Sequence, residues 1–389
     1  MPQRQNADRN DDDEFWNPYR WVRVPADVDD YRQPSYRHQF SGLRGRIEGR
    51  LEALTPLIIG DGQNPGDIRF LCRADGTPYI PGTSLKGMIR SLVEVVGNAC
   101  VPFAKGLADQ QHQAQKATRG RGSSWQLDLA SRMFGTIGHD RGDPDFAGLV
   151  RFHDALADPS TLPPRPNWHT YTIAGGNPKP EHHAFYPEDY QARKFYHHKP
   201  QGGLVSAPGS IRPDQTRKVT PAPPGAVFSL RIDAENLLQS EWQILLYCLA
   251  LEESVSVTLS PAALGDKYRE PVHLVGPMRH KLGGAKPQGG GSCRIHLDRL
   301  VLDEDPLARY RRGRGAAKTL EGQAVAEYVS SETEPFRRRE DRTMRELRAM
   351  LIFTPDDPRA TNLRYPSYMW FQDEKLLPAN DKTCLKPTL

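Results

Sequence analysis

The chain has 389 residues, a formal net charge of +4 and 37% hydrophobic residues, below the globular average. No apolar run approaches membrane-spanning length, its five cysteines form no Cys-x-x-Cys pair, and acidic residues offset the basic ones. A membrane span, a zinc knuckle and a uniformly basic nucleic-acid coat are therefore excluded, and a soluble protein of a reducing cytoplasm is expected.

Residues 1 to 14 are polar and acidic and are expected to be disordered. Trp16, Tyr19, Trp21 and Val22 can anchor an arm onto a neighbouring surface; residues 23 to 40 read as irregular. Residues 44 to 53 alternate, with Ile47, Gly49, Leu51 and Ala53 on one face and Arg46, Glu48, Arg50 and Glu52 on the other, which predicts a half-buried strand. Leu57, Ile58 and Ile59 finish it, and a loop of Gly, Pro and Asn bearing Asp61 and Asp67 follows. Phe70 to Cys72 reads as a short buried strand, and Asp75-Gly76 as a turn.

The clearest unit comes next. Thr83 or Ser84 can cap a helix in which Leu85, Met88, Ile89, Leu92, Val93 and Val96 form one apolar stripe and Gly97 is the stop. Lys86 and Arg90 lie off that stripe, near the helix start, where free N–H groups and two cations make an anion site. A nucleic-acid phosphate is the expected anion; a surface helix with solvated cations fits the same residues.

Residues 98 to 124 are polar and end in Arg119-Gly120-Arg121-Gly122, a mobile loop or a phosphate contact. A short helix is predicted over 125 to 134, capped by Ser124, and a strand over 149 to 153. Residues 156 to 226 lose apolar periodicity, as functional or disordered excursions do. Their histidines, His169, His182, His183, His197 and His198, match no metal-ligand spacing and read as exposed loop residues. A strand over 227 to 233, a helix over 241 to 251, a glycine-rich loop over 282 to 292 and a strand over 293 to 302 complete a second half. Beyond it lie a basic run over 309 to 318, a helical stretch over 319 to 332, a charged helix through Arg337, Arg342 and Arg348, and an aromatic patch of Tyr365, Tyr368, Trp370 and Phe371.

Two β-α-β halves with long insertions predict an α+β, ferredoxin-like (RRM-like) core. The expected organisation is an arm over 1–40, half-cores over 41–155 and 227–305, a thumb-like insertion over 156–226 and a C-terminal extension over 306–389. The charged outer face of the first strand argues against base stacking on the sheet.

The segment Pro78-Tyr79-Ile80-Pro81-Gly82-Thr83-Ser84-Leu85-Lys86-Gly87-Met88-Ile89-Arg90-Ser91 resembles the signature of the RAMP superfamily, the repeat-associated proteins of CRISPR effector complexes. Leu54 to Gly60, Met133-Phe134-Gly135 with Ala147 to Ala155, and Leu282 to Ser292 resemble further family segments in the same order, and Asn17 to Val22 resembles an N-terminal segment of one RAMP subgroup. The resemblance implies a RAMP core and a backbone subunit of a type III-like interference complex in antiviral defence. Such a subunit coats crRNA, stacks beside copies of itself and other effector subunits, and presents the guide to complementary target RNA. Ser84, Lys86, Arg90 and Lys286 would then contact RNA, with Gly289, Gly290 and Gly291 letting the backbone come close.

Type III backbone subunits that cleave target RNA use an aspartate in the loop after the first strand. Counting back from Pro81-Gly82 places that residue at Asp67, with Asp61 as the alternative, and Mg²⁺ would be the cofactor. A crRNA-processing nuclease of another RAMP branch relies on a histidine that nothing here marks. A scaffold protein that binds no RNA is the contrasting class.

Overall fold

The computed structural model describes residues 15–101 (except 26, 29, 37 and 38), 118–120, 125–137, 145–175, 191–207 (except 202), 213–261, 269–303, 317–363, 365 and 384–385. Two-residue strands aside, the first half contains β1 (Tyr19–Arg23), β2 (Leu43–Ala53), β3 (Asp67–Arg69), α1 (Gly82–Val96), α2 (Leu129–Phe134) and β4 (Val150–Phe152). Then come β5 (Tyr171–Ala174), β6 (Ala192–Tyr196) and β7 (Thr216–Thr220). The second half contains β8 (Val227–Leu237), α3 (Gln239–Ala250), β9 (Val255–Leu259), β10 (Val272–Gly276), β11 (His280–Lys281) and β12 (Ser292–Asp303). It is followed by β13 (Lys318–Glu321), α4 (Gln323–Arg337) and α5 (Arg342–Leu351).

The main sheet runs β4-β8-β2-β12-β11, with β13 also paired to β12, and every pairing is antiparallel. Alternation does what it predicts: Ile47 and Leu51 of β2, Phe228, Leu230 and Ile232 of β8, and Leu300 and Leu302 of β12 are buried under the helices. Helix α1 packs on α3 and β4, and α3 on α4 and β12. The stripe of α1 is buried at Leu85, Met88, Ile89, Leu92, Val93 and Val96, each side chain worth about 2 kcal/mol by removal from water. The fold is thus α+β with an antiparallel sheet.

Several expectations change. Pro81, not a hydroxyl residue, occupies the N-cap of α1, with its carbonyl accepting from Ser84 and Leu85 at 2.9 and 3.3 Å. The Asp154 carboxylate accepts the Gly82 N–H at 2.9 Å. Glycine is needed at 82 because a Cβ there would stand 2.2 Å from the Phe152 carbonyl oxygen, so α1 starts directly against β4. Helix α2 begins later than predicted and is capped by Asp128, which accepts from Ala130 and Ser131 at 3.2 and 3.1 Å.

The segment between the halves is not wholly irregular. Strand β5 pairs with β7, β7 lies parallel to β3, and β6 pairs with β1. The N-terminal aromatic arm therefore docks within the chain, with Trp16, Tyr19 and Val22 buried. His197 and His198, expected in an exposed loop, are 1% and 2% exposed, while His169 is exposed as predicted. Stretch 319–332 begins as a strand before turning helical. Arg348 of the charged helix is buried, donating to Glu252 at 3.0 Å and to the carbonyls of Arg337 and Arg339, both at 2.7 Å, so it closes the end of α4. Residues 1–14, Arg121, Gly122, His182, His183, the basic run over 309–316, Tyr368, Trp370 and Phe371 lie outside the described residues.

Candidate nucleic-acid interface

Helix α1 presents Ser84 and Ser91 to a cleft of about 310 Å³. Strand β6 supplies Arg193 and Lys194, and β11 with the glycine-rich loop supplies Lys281 and Lys286. No carboxylate lines it among the described residues. The structure thus brings together two of the expected contact residues, Ser84 and Lys286, and adds three cations that sequence reasoning missed.

Each cation has a distinct setting. Arg193 forms an ion pair at 3.0 Å with Glu94, which lies behind the cleft. Glu94, 1% exposed in α1, is also held by Arg90 at 2.9 Å. Burial pushes the Glu94 carboxyl up, and Arg193 and Arg90 pull it down. The Lys194 ammonium sits 3.5 Å from the centroid of the Tyr19 ring, a cation–π contact, and burial lowers its pKa to about 8. Lys281 donates to the carbonyls of Gly290 and Gly289 at 2.8 and 3.3 Å, and burial lowers its pKa to about 7. Burial also lowers that of Lys286.

Of the two cations predicted on α1, Lys86 is half-buried and outside the cleft lining; burial, then the neighbouring Arg90, lowers its pKa. Arg90 is engaged by Glu94 and by the Gly135 carbonyl at 2.9 Å, so two of its donors are already used.

The glycine-rich loop differs from one that offers its backbone to a ligand. Gly289, Gly290 and Gly291 are buried. The N–H groups of Gln288, Gly289 and Gly290 donate to Ala285 and Lys286 carbonyls at 3.0 to 3.1 Å, and those of Gly284 and Gly291 donate to Ile58 and Pro56 at 2.8 and 2.9 Å. Gly291 has φ +81°, and a Cβ there would meet the Leu282 carbonyl at 2.1 Å. Glycine is therefore demanded by the turn itself, which folds back so that Lys281 and Lys286 face one space.

Asp67 opens the short strand β3, where Arg69 of the same strand binds its carboxylate at 3.1 Å. Asp61 accepts the Gln63 N–H at 3.2 Å in an Asx turn. Among the described residues no group of three or more His, Cys, Asp or Glu side chains is assembled as a metal site. Neither aspartate lines the basic cleft.

The outer face of the main sheet is also charged, but its charges are paired. Arg46 and His153 both hold Asp233 at 2.7 Å, Arg50 holds Asp298 at 2.8 Å, Arg299 holds Glu48 at 3.0 Å, and His296 holds Glu52 at 3.1 Å.

The family model of the RAMP superfamily matches residues 50–269, more than half of the chain. The chain belongs to the RAMP superfamily. Within the matched part of this RAMP protein lie the Pro81-Gly82 turn, α1 and the segment carrying β6. Among solved structures it is similar to one described as the Csm3-Csm4 subcomplex of the type III-A CRISPR-Cas interference complex, at 14% identity and a TM-score of 0.32, covering 75% of this chain and 96% of that one. No curated protein matches it. No described helix is long and apolar enough to cross a membrane.

Proposed function

We propose that this RAMP protein is an RNA-binding subunit of a CRISPR interference complex, holding guide RNA by its phosphates and leaving the bases free to pair with target RNA. The observation that carries the reading is the cleft in which four cations converge without a lining carboxylate. A cleft that gathers cations and is lined by no carboxylate suits an anion, and phosphates are the anions that RNA offers regardless of sequence. Family membership and the signature around Gly82 support the same class. In this reading Lys286, Lys281, Lys194 and Arg193 grip phosphates, Ser84 donates a hydroxyl, and Lys86 extends the path along α1. Arg90 holds Glu94 in place behind Arg193, and Gly289 to Gly291 shape the loop.

The core is read as ferredoxin-like. Taking β2, β4, β8 and β12 as its first to fourth strands, their spatial order is fourth, first, third, second, with α1 and α3 as the two crossovers. The partners are crRNA, target RNA, other effector subunits and further copies of the chain, with residues 156–226 acting as the thumb. The test is fluorescence-anisotropy binding of single-stranded RNAs of unrelated sequence. Equal affinities that fall steeply with salt are expected. Affinity set by sequence, or no binding at low salt and protein that purifies free of nucleic acid, would point instead to a scaffold role.

A further inference from the structure

Lys281 is the most enclosed cation of the cleft, and among the described residues it has no counter-ion. Its amine nitrogen donates to two backbone carbonyls, Gly290 and Gly289. Among the described residues, the charged and titratable groups around it are cations or neutral: Lys286 on its own loop, Arg193, Lys194 and the Tyr196 phenol from β6, and His280 beside it. His198, in the chain just after β6, is buried and neutral, and so is the Cys293 thiol of β12. Helix α1 offers only the hydroxyls of Ser84 and Ser91, and α5 only Leu351.

This setting matches a neutral amine. An –NH₂ group has two N–H bonds, and two carbonyls accept them. Protonation adds a third N–H, which meets no acceptor among the hydrogen bonds of the described residues, and the cleft offers room for one to enter. Moving an ammonium into such a place costs free energy that only an anion returns. We propose that an RNA phosphate entering the cleft supplies that acceptor, and that guide loading therefore takes up a proton at Lys281. This rests on the RNA-binding reading above. A lysine pKa lowered to about 7 puts the event at physiological pH.

The sign follows from linkage. A bound phosphate raises the pKa of Lys281, so the complex holds a proton that the free protein above about pH 7 lacks. Affinity for RNA then falls as pH rises, by up to about tenfold per pH unit for one proton. Lys194 contributes in the same sense near pH 8, so the share of Lys281 has to be isolated.

The experiment is isothermal titration of the full-length protein with a single-stranded oligoadenylate in buffers of different ionisation enthalpy, between about pH 7 and 9. It is repeated with Lys281→Arg, which keeps the charge at every pH, and with Lys281→Met, which never carries it. The unmodified protein is expected to take up protons on binding. Both variants should lose about one proton of that uptake at the upper end of the range. Lys281→Arg should keep its affinity as pH rises, and Lys281→Met should bind weakly throughout. If arginine cannot be accommodated, the methionine variant alone gives the missing proton. RNA binding without proton uptake, or uptake unchanged in both variants, overturns the proposal and leaves the RNA-binding reading standing. Uptake with inorganic phosphate but not with the oligonucleotide assigns the cleft to a free anion and overturns it too. Absence of RNA binding at every pH removes the RNA-binding reading, and this proposal falls with it.

Discussion

The outer face of the sheet and the cleft beside α1 are both rich in cations, yet they use them differently. On the sheet, Arg46, Arg50 and Arg299 each lie within 3.0 Å of a carboxylate on a neighbouring strand. Their fields close on themselves, and exposed pairs of this kind contribute little to stability. In the cleft, Lys194 faces a ring and Lys281 two carbonyl oxygens, and burial pushes the pKa values of Lys194, Lys281 and Lys286 down. A chain with a net charge of only +4 can therefore hold a strongly cationic site, because what a ligand meets is the local charge of a cleft lined, among the described residues, by no carboxylate.

The sharpest way to break this contrast is to remove the unpaired charge. Lys281→Met combined with Lys286→Ala is expected to weaken binding of any single-stranded RNA by about 30- to 100-fold and to flatten the slope of log affinity against log salt by about 1.4, two phosphate contacts at roughly 0.7 each. Anisotropy titrations over a salt series read both numbers. An unchanged slope would remove the cleft from the RNA path.

A second expectation concerns the apolar ground behind the cleft. Burial lowers the pKa of His280 to about 4 and those of His197 and His198 well below the usual histidine value. The unfolded chain then binds protons near pH 6.5 that the folded chain refuses. Stability is complete above that pH and falls on acidification, by about 1.4 kcal/mol per pH unit for each histidine. Urea melts at pH 7 and 5 should show the loss, and His197→Phe should lessen it, since neither ring nitrogen of His197 has a hydrogen-bond partner among the described residues. An acid slope that ignores this substitution would place the sensitivity elsewhere.

Smaller effects follow at the margins. Lys86→Ala should cost several-fold in affinity and about 0.7 in salt slope, uniformly across spacer sequences. Asp67→Asn should abolish any Mg²⁺-dependent cleavage of guide-matched RNA while guide affinity stays within about threefold, because the residue pairs with Arg69 away from the cleft. Cleavage at the normal rate by that variant would clear Asp67 and turn attention to Asp61. At the bottom of the scale, Arg50→Ala on the paired face should change stability by about 0.5 kcal/mol or less and RNA affinity by less than about twofold.

The sequence made the main sheet and its helices legible because their signals are periodic. Alternation along 44–53 and the stripe from Leu85 to Val96 are each read from one segment alone. What it hid is tertiary. Strands β5, β6 and β7 span four or five residues with mixed polarity, too short for a period to show. His197 and His198 carry no apolar pattern, yet they become interior once β6 pairs with β1. Ser84 and Lys286 could be picked from motifs, whereas Arg193, Lys194 and Lys281 matter because separate segments meet. The available clues were faint: two cations ahead of Phe195-Tyr196, and a lysine immediately before the glycine-rich loop.

That meeting has a consequence for assembly. The walls of the cleft come from α1, from β6 in the middle of the chain and from β11 with its loop near the end. Only a fragment that runs from α1 to the glycine-rich loop contains them all, and no partly folded intermediate lacking the late strands can present them together. A ligand of this cleft recognises a finished topology, and its binding is a selection for molecules whose distant parts have already found one another. Saturating ligand adds RT ln(1 + [L]/Kd) to the stability of such molecules and nothing to the rest. On the proposed function, guide loading would thus act as a proofreading step on folding, sorting complete chains from incomplete ones before assembly.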